Sequence, residues 1–300
     1  MEGAMHVVVM GTGGVGGYFG ALLARAGHRV TAIARGAHLD AMRASGLRVE
    51  SAVEPAFTAS VSATPQPPAD DPADLVMLCV KSYDTAAAIE RIRPSIAPRT
   101  LVLTLQNGVD SGDLLAAAFG PRHVVEGVAY VETTVKAPGV IGQLGGPRRI
   151  LMGARDAANQ PRVAALVAET REAGWLAEHV PAIREALWSK LVFIGPFAAV
   201  NTLTDAPARV IRDNPATAAL IRQAMAEYAA VGQATGVALP ADAVDKAFAT
   251  LLAFPAAGHS SMSRDRQAGK RLEADALVGT IARRGAALGV PTPATSTLAA

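Results

Sequence analysis

Several groups of residues in this chain have types and spacings suited to chemistry. Gly11-Thr12-Gly13-Gly14-Val15-Gly16 follows a short β-branched run, His6 to Met10, and opens a helical stretch. Glycines there permit a tight turn and let backbone N–H groups approach the pyrophosphate of a dinucleotide at the helix N-terminus. Alone the motif is weak. Its strand–turn–helix setting makes a glycine turn without a ligand the poorer alternative. The second strand ends in Thr31-Ala32-Ile33-Ala34-Arg35-Gly36. A carboxylate at that end would accept from the ribose 2′-OH of NAD, but Arg35 stands there and no acid does. A guanidinium suits a 2′-phosphate through paired charge-assisted hydrogen bonds. These residues therefore favour NADPH, against the alternative of a solvated loop arginine.

Further along, Lys190 sits among Leu187, Trp188, Leu191, Val192 and Phe193. A lone helix lysine is ordinarily a solvated charge, but an apolar neighbourhood disfavours the ammonium and lowers its pKa toward neutrality. Ser261, Asp265, Gly269 and Glu273 recur every four residues, which on one continuous helix places them on one face. Taken singly, Ser261 also reads as a helix cap and the two acids as solvated charges. Asn107 ends a buried strand at the carboxyl edge of a sheet, where open α/β sheets bind ligands, although Asn-Gly is equally a turn dipeptide. Lys81 closes another strand and reads as well as a plain strand-end lysine. The six histidines show no HxH, HExxH or partnered cysteine spacing, so no metal site is expected. Cys79 reads as a buried, inert small hydrophobe.

These residues need elements to hold them. Three hundred residues, half of them apolar, favour two domains over one core. The first half alternates strand and helix: His6 to Met10, Tyr18 to Ala26, Arg29 to Ala34, His38 to Ser45, Asp74 to Val80, Thr85 to Ile92, Thr100 to Leu105. The alternation predicts a parallel sheet with right-handed crossovers, broken by a Pro-rich loop at Ala63 to Pro72. Val124 to Val131 and Val140 to Leu144 read as antiparallel strands around Pro138-Gly139, with a further one at Arg149 to Met152. From Ile183 the pattern is helical: Ile183 to Val200, Pro215 to Thr235, Ala241 to Leu252 and Asp265 to Leu288. The expected organisation is an N-terminal Rossmann-type NADPH-binding domain over 1–180 and an all-helical domain over 181–300, to which the resemblance given below assigns the substrate and whose Ala-rich helices are compatible with dimerisation.

A formal net charge of +2 with interspersed signs gives no nucleic-acid or membrane footprint. One cysteine fits a reducing compartment. No run reaches the ~18 apolar residues of a membrane span, and Met1 to Ala4 is too short for a leader. A cytoplasmic protein is expected. The chain's last residues, Leu298-Ala-Ala, look like the start of a helix.

Gly11 to Gly16, Arg35-Gly-Ala-His-Leu39, Val80-Lys81, Gln106-Asn107-Gly108, Glu185-Ala-Leu-Trp-Ser-Lys190 and Ser260-Ser261-Met262 through Glu273 occur in an order and spacing that resemble the ketopantoate reductases (2-dehydropantoate 2-reductases). The resemblance covers nearly the whole chain. It implies an NADPH-dependent reductase that converts 2-dehydropantoate to (R)-pantoate, a step of pantothenate biosynthesis, and it is compatible with a homodimer. It implies Lys190 as general acid, Glu273 as the acid that binds the substrate hydroxyl or orients the lysine, and Ser261 as the hydroxyl for the substrate carboxylate. Asp265 would support the lysine, Asn107 would lie near both nicotinamide and substrate, and Lys81 near the cofactor.

One departure stands out. The family commonly shows asparagines one and two turns after the lysine, where this chain has Ile194 and Ala198. If both line the pocket, they remove amide contacts and favour a branched, apolar 2-keto acid. Pro196 between them is expected to strain the helix, and Asn201 is a candidate for supplying a substitute amide. Two other readings remain. A catalytically silent NADPH sensor would not need Lys190 with Glu273. A dehydrogenase of 3-hydroxy acids or glycerol phosphate shares the two-domain plan but not the ALWSK and SSM patterns.

Overall fold

The computed structural model describes residues 3–300, so Met1 and Glu2, part of the segment read for a leader, lie outside the described residues. The chain forms two compact units. The first comprises the residues up to Gln106 together with Ser111–Ile183, and the second Asn107–Asp110 with Arg184–Ala300.

The first unit begins with β1 (His6–Met10), α1 (Gly14–Arg25), β2 (Arg29–Ile33) and α2 (Gly36–Ser45). Three short strands follow, β3 (Leu47–Ser51), β4 (Phe57–Ala59) and β5 (Ser62–Thr64), then β6 (Leu75–Leu78), α3 (Thr85–Ile92), β7 (Leu101–Thr104) and α4 (Ser111–Phe119). The unit closes with β8 (Val124–Ala137), β9 (Val140–Ala154), α5 (Gln160–Glu172) and β10 (Leu176–His179). All ten strands belong to one sheet, with β5, β2, β1, β6, β7 and β8 side by side and parallel.

Strand alternation divides the apolar side chains between two layers. Val7 and Val9 of β1 with Leu75 and Met77 of β6 face one core. Val8, Met10, Val76 and Leu78 face the other. Burial on both faces is why these strands read as unbroken apolar runs, and each such side chain contributes roughly 1.5–3 kcal/mol. The short antiparallel strands expected after residue 124 are parts of one long hairpin, β8–β9, turning at Pro138-Gly139. Arg149 to Met152 is the stretch of β9 that pairs in parallel with β10.

The second unit has no strand among its described residues. It contains α6 (Ile183–Thr204), α7 (Ala208–Asp213), α8 (Pro215–Ala234), α9 (Ala243–Ala253), α10 (Ser261–Gln267), α11 (Thr280–Leu288) and α12 (Pro293–Ala299). Asn214 caps α8 through Ala216 N and Thr217 N. Buried Glu227 accepts from Ala294 N, Thr295 N and Thr295 Oγ1 and so holds the start of α12. By length and composition α6 would suffice to cross a membrane, but most of it is buried within this unit.

Pro196 does not end α6, which continues through it to Thr204. The missing N–H is offset by packing: Phe197 is fully buried, stacks on Phe193 at 5.8 Å and tilts against Phe254 at 5.0 Å. Tertiary burial of this kind overrides a local helix penalty.

The expected helix over Asp265 to Leu288 is corrected. α10 ends at Gln267, and Gly269 takes φ +64° while Gly269 N donates to Arg266 O and Lys270 N to Asp265 O. This is a glycine stop in the left-handed conformation with the paired bonds of a Schellman motif. The chain then runs without regular structure to Glu273, makes a π-helical turn over Asp275–Gly279 and resumes as α11. Ser261, Asp265, Gly269 and Glu273 therefore do not share one helix face.

Candidate active site

In the first unit the glycine loop leaves β1 and enters α1. Gly11 has φ +100°, and a Cβ on Gly16 would lie 2.3 Å from Gly11 O, so loop and helix can meet this closely only without side chains. Gly13 precedes α1 with no side-chain cap, no acid occupies the first helical turn, and nothing stands within 4 Å of where a Gly13 Cβ would point. Unfilled N–H donors at a helix start beside open space fit a pyrophosphate. Gly14 lies against Thr133 of β8, and Val15 packs partly on the core. Thr12 is different: it is buried, and both its N–H and its hydroxyl donate to Ile33 O. Its side chain therefore fixes the loop to the end of β2 and does not face a ligand.

Arg35 lies two residues beyond β2, exposed, at the N-cap of α2. Lys81 does not close the strand as expected: β6 ends at Leu78, and Lys81, partly buried, lies three residues on, where the chain enters a short 3₁₀ turn. Cys79 also lies just past β6, and burial pushes its thiol up to about 12, which makes it inert. Two residues the sequence reading passed over are structural anchors here. Gln106 Nε2 donates to Val80 O at 2.9 Å and to Thr85 Oγ1 at 2.8 Å, locking the ends of β6 and β7. His38 bridges Thr12 O and Gly139 N; its place in Arg35-Gly-Ala-His-Leu39 was the available signal.

In the second unit the structure brings Lys190 and Asn107 together: Nζ donates to Oδ1 at 2.9 Å. Burial lowers the lysine to about 8, because the charged form loses hydration. Such a group holds a proton at neutral pH and releases it readily. Ser261 is the first residue of α10, but the capping hydroxyl is Ser260 Oγ, which accepts from Ser263 N at 3.1 Å. The capping role is thus filled by its neighbour, and the Ser261 side chain is left half-exposed. Glu273 is buried just before the π turn, and Asp265 is half-buried within α10.

Asn201 does not supply a ligand amide. It is fully buried, donating Nδ2 to Ala206 O at 2.7 Å and accepting from Ser260 N at 2.8 Å. Ala198 is 1% exposed within the helical core, whereas Ile194 remains partly exposed. Of the two apolar replacements, only Ile194 presents surface. Among the described residues no cluster of His, Cys, Asp and Glu could hold a metal ion.

The family model described as ketopantoate reductase PanE/ApbA matches residues 7–157, and that of its C-terminal domain matches residues 182–300. A 2-dehydropantoate 2-reductase of Mesorhizobium japonicum is 32% identical, over 96% of this chain and 94% of its own length. The crystal structure of a PanE/ApbA family ketopantoate reductase from Ralstonia eutropha superposes with a TM-score of 0.89 at 37% identity, covering 98% of this chain and 96% of that one. A 2-dehydropantoate 2-reductase from Geobacter metallireducens gives 0.91 at 31% identity, with 98% of both chains covered.

Proposed function

This chain belongs to the ketopantoate reductase family, and from that premise we propose that it reduces a 2-keto acid with NADPH, 2-dehydropantoate to (R)-pantoate being the first candidate reaction. It is an oxidoreductase of the 2-dehydropantoate 2-reductase type. The observation that carries the proposal is the Lys190–Asn107 pair, a lysine lowered to about 8 and held by an amide at 2.9 Å.

The first unit acts as the NADPH-binding domain. Its glycine loop, Gly11 to Gly16, would offer backbone donors to the pyrophosphate, Arg35 would meet the 2′-phosphate, and Lys81 would help to hold the cofactor. Bound nicotinamide supplies the hydride. The second unit acts as the substrate domain. Lys190 gives its proton to the oxygen of the substrate carbonyl, and Asn107 keeps the ammonium in place while orienting substrate and nicotinamide. The Ser261 hydroxyl holds the substrate carboxylate. Glu273 accepts from the substrate hydroxyl, with Asp265 supporting the lysine. Placing the proton donor in an apolar setting strengthens its interaction with the charge that develops on the carbonyl oxygen.

The test follows reduced-nicotinamide absorbance with 2-dehydropantoate and a panel of branched 2-keto acids, using NADH as control. Rapid NADPH oxidation with at least one 2-keto acid is expected. Tight NADPH binding without oxidation by any of them would overturn the catalytic reading in favour of a silent cofactor-binding protein.

A further inference from the structure

His38 lies in the first turn of α2, three residues after Arg35, and touches two other segments of the first unit. Gly139 N, at the tip of the β8–β9 hairpin, donates to His38 Nδ1 at 2.9 Å. An Nδ1 that accepts leaves the ring proton on Nε2, so Nε2 donates to Thr12 O, 2.8 Å away. The hydrogen-bond pattern thus fixes the tautomer of a neutral imidazole.

The consequence lies on the other side of the Thr12–Gly13 peptide. A trans peptide is planar, with its C=O and N–H pointing in opposite directions. Anchoring Thr12 O to His38 therefore also sets the direction of the Gly13 N–H. That N–H is among the donors left over where α1 begins, and no atom lies within 4 Å of where a Gly13 Cβ would sit. Thr12 is already held from its other side, through N and Oγ1 on Ile33 O. Rotation of the following peptide is the freedom left to the loop, and the imidazole removes it.

We propose that His38 is a positioning residue for cofactor binding: through Thr12 O it aims the Gly13 N–H at the pyrophosphate of the dinucleotide. The assignment rests on the reading of the glycine loop as the dinucleotide site. It separates two contributions to affinity. The pyrophosphate is common to NADPH and NADH, so loss of His38 weakens both by one factor, whereas loss of Arg35 weakens NADPH alone.

Side-chain replacements can test the two bonds of the ring individually. A glutamine amide nitrogen reaches close to the position of Nε2 and retains the donor to Thr12 O. An asparagine oxygen reaches close to Nδ1 and retains only the acceptor for Gly139 N. Dissociation constants of NADPH and NADH are measured by nucleotide fluorescence for the wild-type chain, His38→Ala, His38→Gln and His38→Asn, with thermal melts of each. His38→Ala is expected to weaken both nucleotides about tenfold, with turnover at saturating NADPH within about twofold of wild type. His38→Gln should recover most of the affinity and His38→Asn should not. Recovery by His38→Asn instead, or affinities that only track melting temperature, would make His38 a strut for the hairpin and overturn the assignment. A wild-type chain that binds neither nucleotide would overturn the dinucleotide site itself, a result distinct from binding that ignores His38.

Discussion

The two units present opposite solutions to holding a polar ligand. In the first, the groups offered are largely backbone: the N–H donors of the glycine loop, shaped by Gly11 and Gly16 and anchored by buried Thr12 and half-buried His38. In the second they are side chains, Lys190 and Ser261 on helices and Asn107 and Glu273 in irregular chain, within a unit whose core is apolar. Backbone donors carry no net charge and titrate nowhere, which suits the nucleotide binding proposed for the first unit. A lysine lowered to about 8 exchanges its proton near neutral pH, which suits the proton transfer proposed for the second. Substitutions should divide accordingly, into those that change nucleotide affinity and those that change turnover.

The largest effect belongs to the second unit. Lys190→Ala should lower kcat by on the order of 10²–10⁴ and leave the NADPH dissociation constant nearly intact, as read from single-turnover rates and direct titration. Near-normal turnover would remove the proton donor from this unit. The same lysine sets the pH profile. Reduction needs the protonated form, so the rate should be level below about pH 8 and fall toward tenfold per unit above it. The sign for stability runs the other way. With the folded pKa below the unfolded 10.5, the unfolded chain binds more protons between about 8 and 10.5, so this group makes the fold more stable as pH rises through that window. Lys190→Met should abolish that rise in a pH series of thermal melts.

An intermediate effect tests the first unit. Arg35→Ala should weaken NADPH by about one to two decades, the loss of a charge-assisted contact worth roughly 1.5–3 kcal/mol, and leave NADH unchanged. Equal dissociation constants for the two nucleotides, unaltered by the substitution, would take cofactor selectivity away from Arg35.

The contrast between the units also explains what could be read in the chain. Backbone sites need glycines at fixed spacing after a strand, and that spacing is visible, as Gly11 to Gly16 and the apolar runs of β1 and β6 were. His38 was not visible as a positioning group, because nothing local shows that Gly139, a hundred residues on, meets its ring. The helical unit yielded less. Four-residue spacing from Ser261 to Glu273 suggested one helix, yet Gly269 in the left-handed conformation ends it. A glycine inside a periodic pattern was the signal that should have outweighed the periodicity. Pro196 was expected to strain a helix predicted to run through it to Val200, and α6 does run through it, to Thr204, with Phe197 packed on Phe193 and Phe254. Lys190 could be identified by resemblance and by its apolar neighbours, while its partnership with Asn107, distant in sequence, required the fold.

The smallest expected effect concerns substrate choice, where the structure separates two residues that spacing alone had paired. Ile194 and Ala198 follow Lys190 by four and eight residues, so an uninterrupted helix puts both near its face. Burial distinguishes them: Ala198 is enclosed in the helical core, and Ile194 keeps part of its surface open. Only Ile194 can then border a ligand held at Lys190. A sec-butyl wall accepts a branched hydrocarbon and offers nothing to a hydroxyl, and discrimination through one such contact amounts to about 1–3 kcal/mol. Ile194→Asn should accordingly shift the ratio of kcat/KM for 2-dehydropantoate over 2-keto-3-methylbutanoate by roughly tenfold, about 1.4 kcal/mol. Ala198→Asn should leave that ratio where it is and instead lower the melting temperature, since extra atoms in a filled core cost about 1–3 kcal/mol. The opposite pairing, a stable Ala198→Asn that shifts the ratio and an Ile194→Asn that does not, would place the ligand against the other side of α6 and move the substrate pocket away from the surface assigned to it.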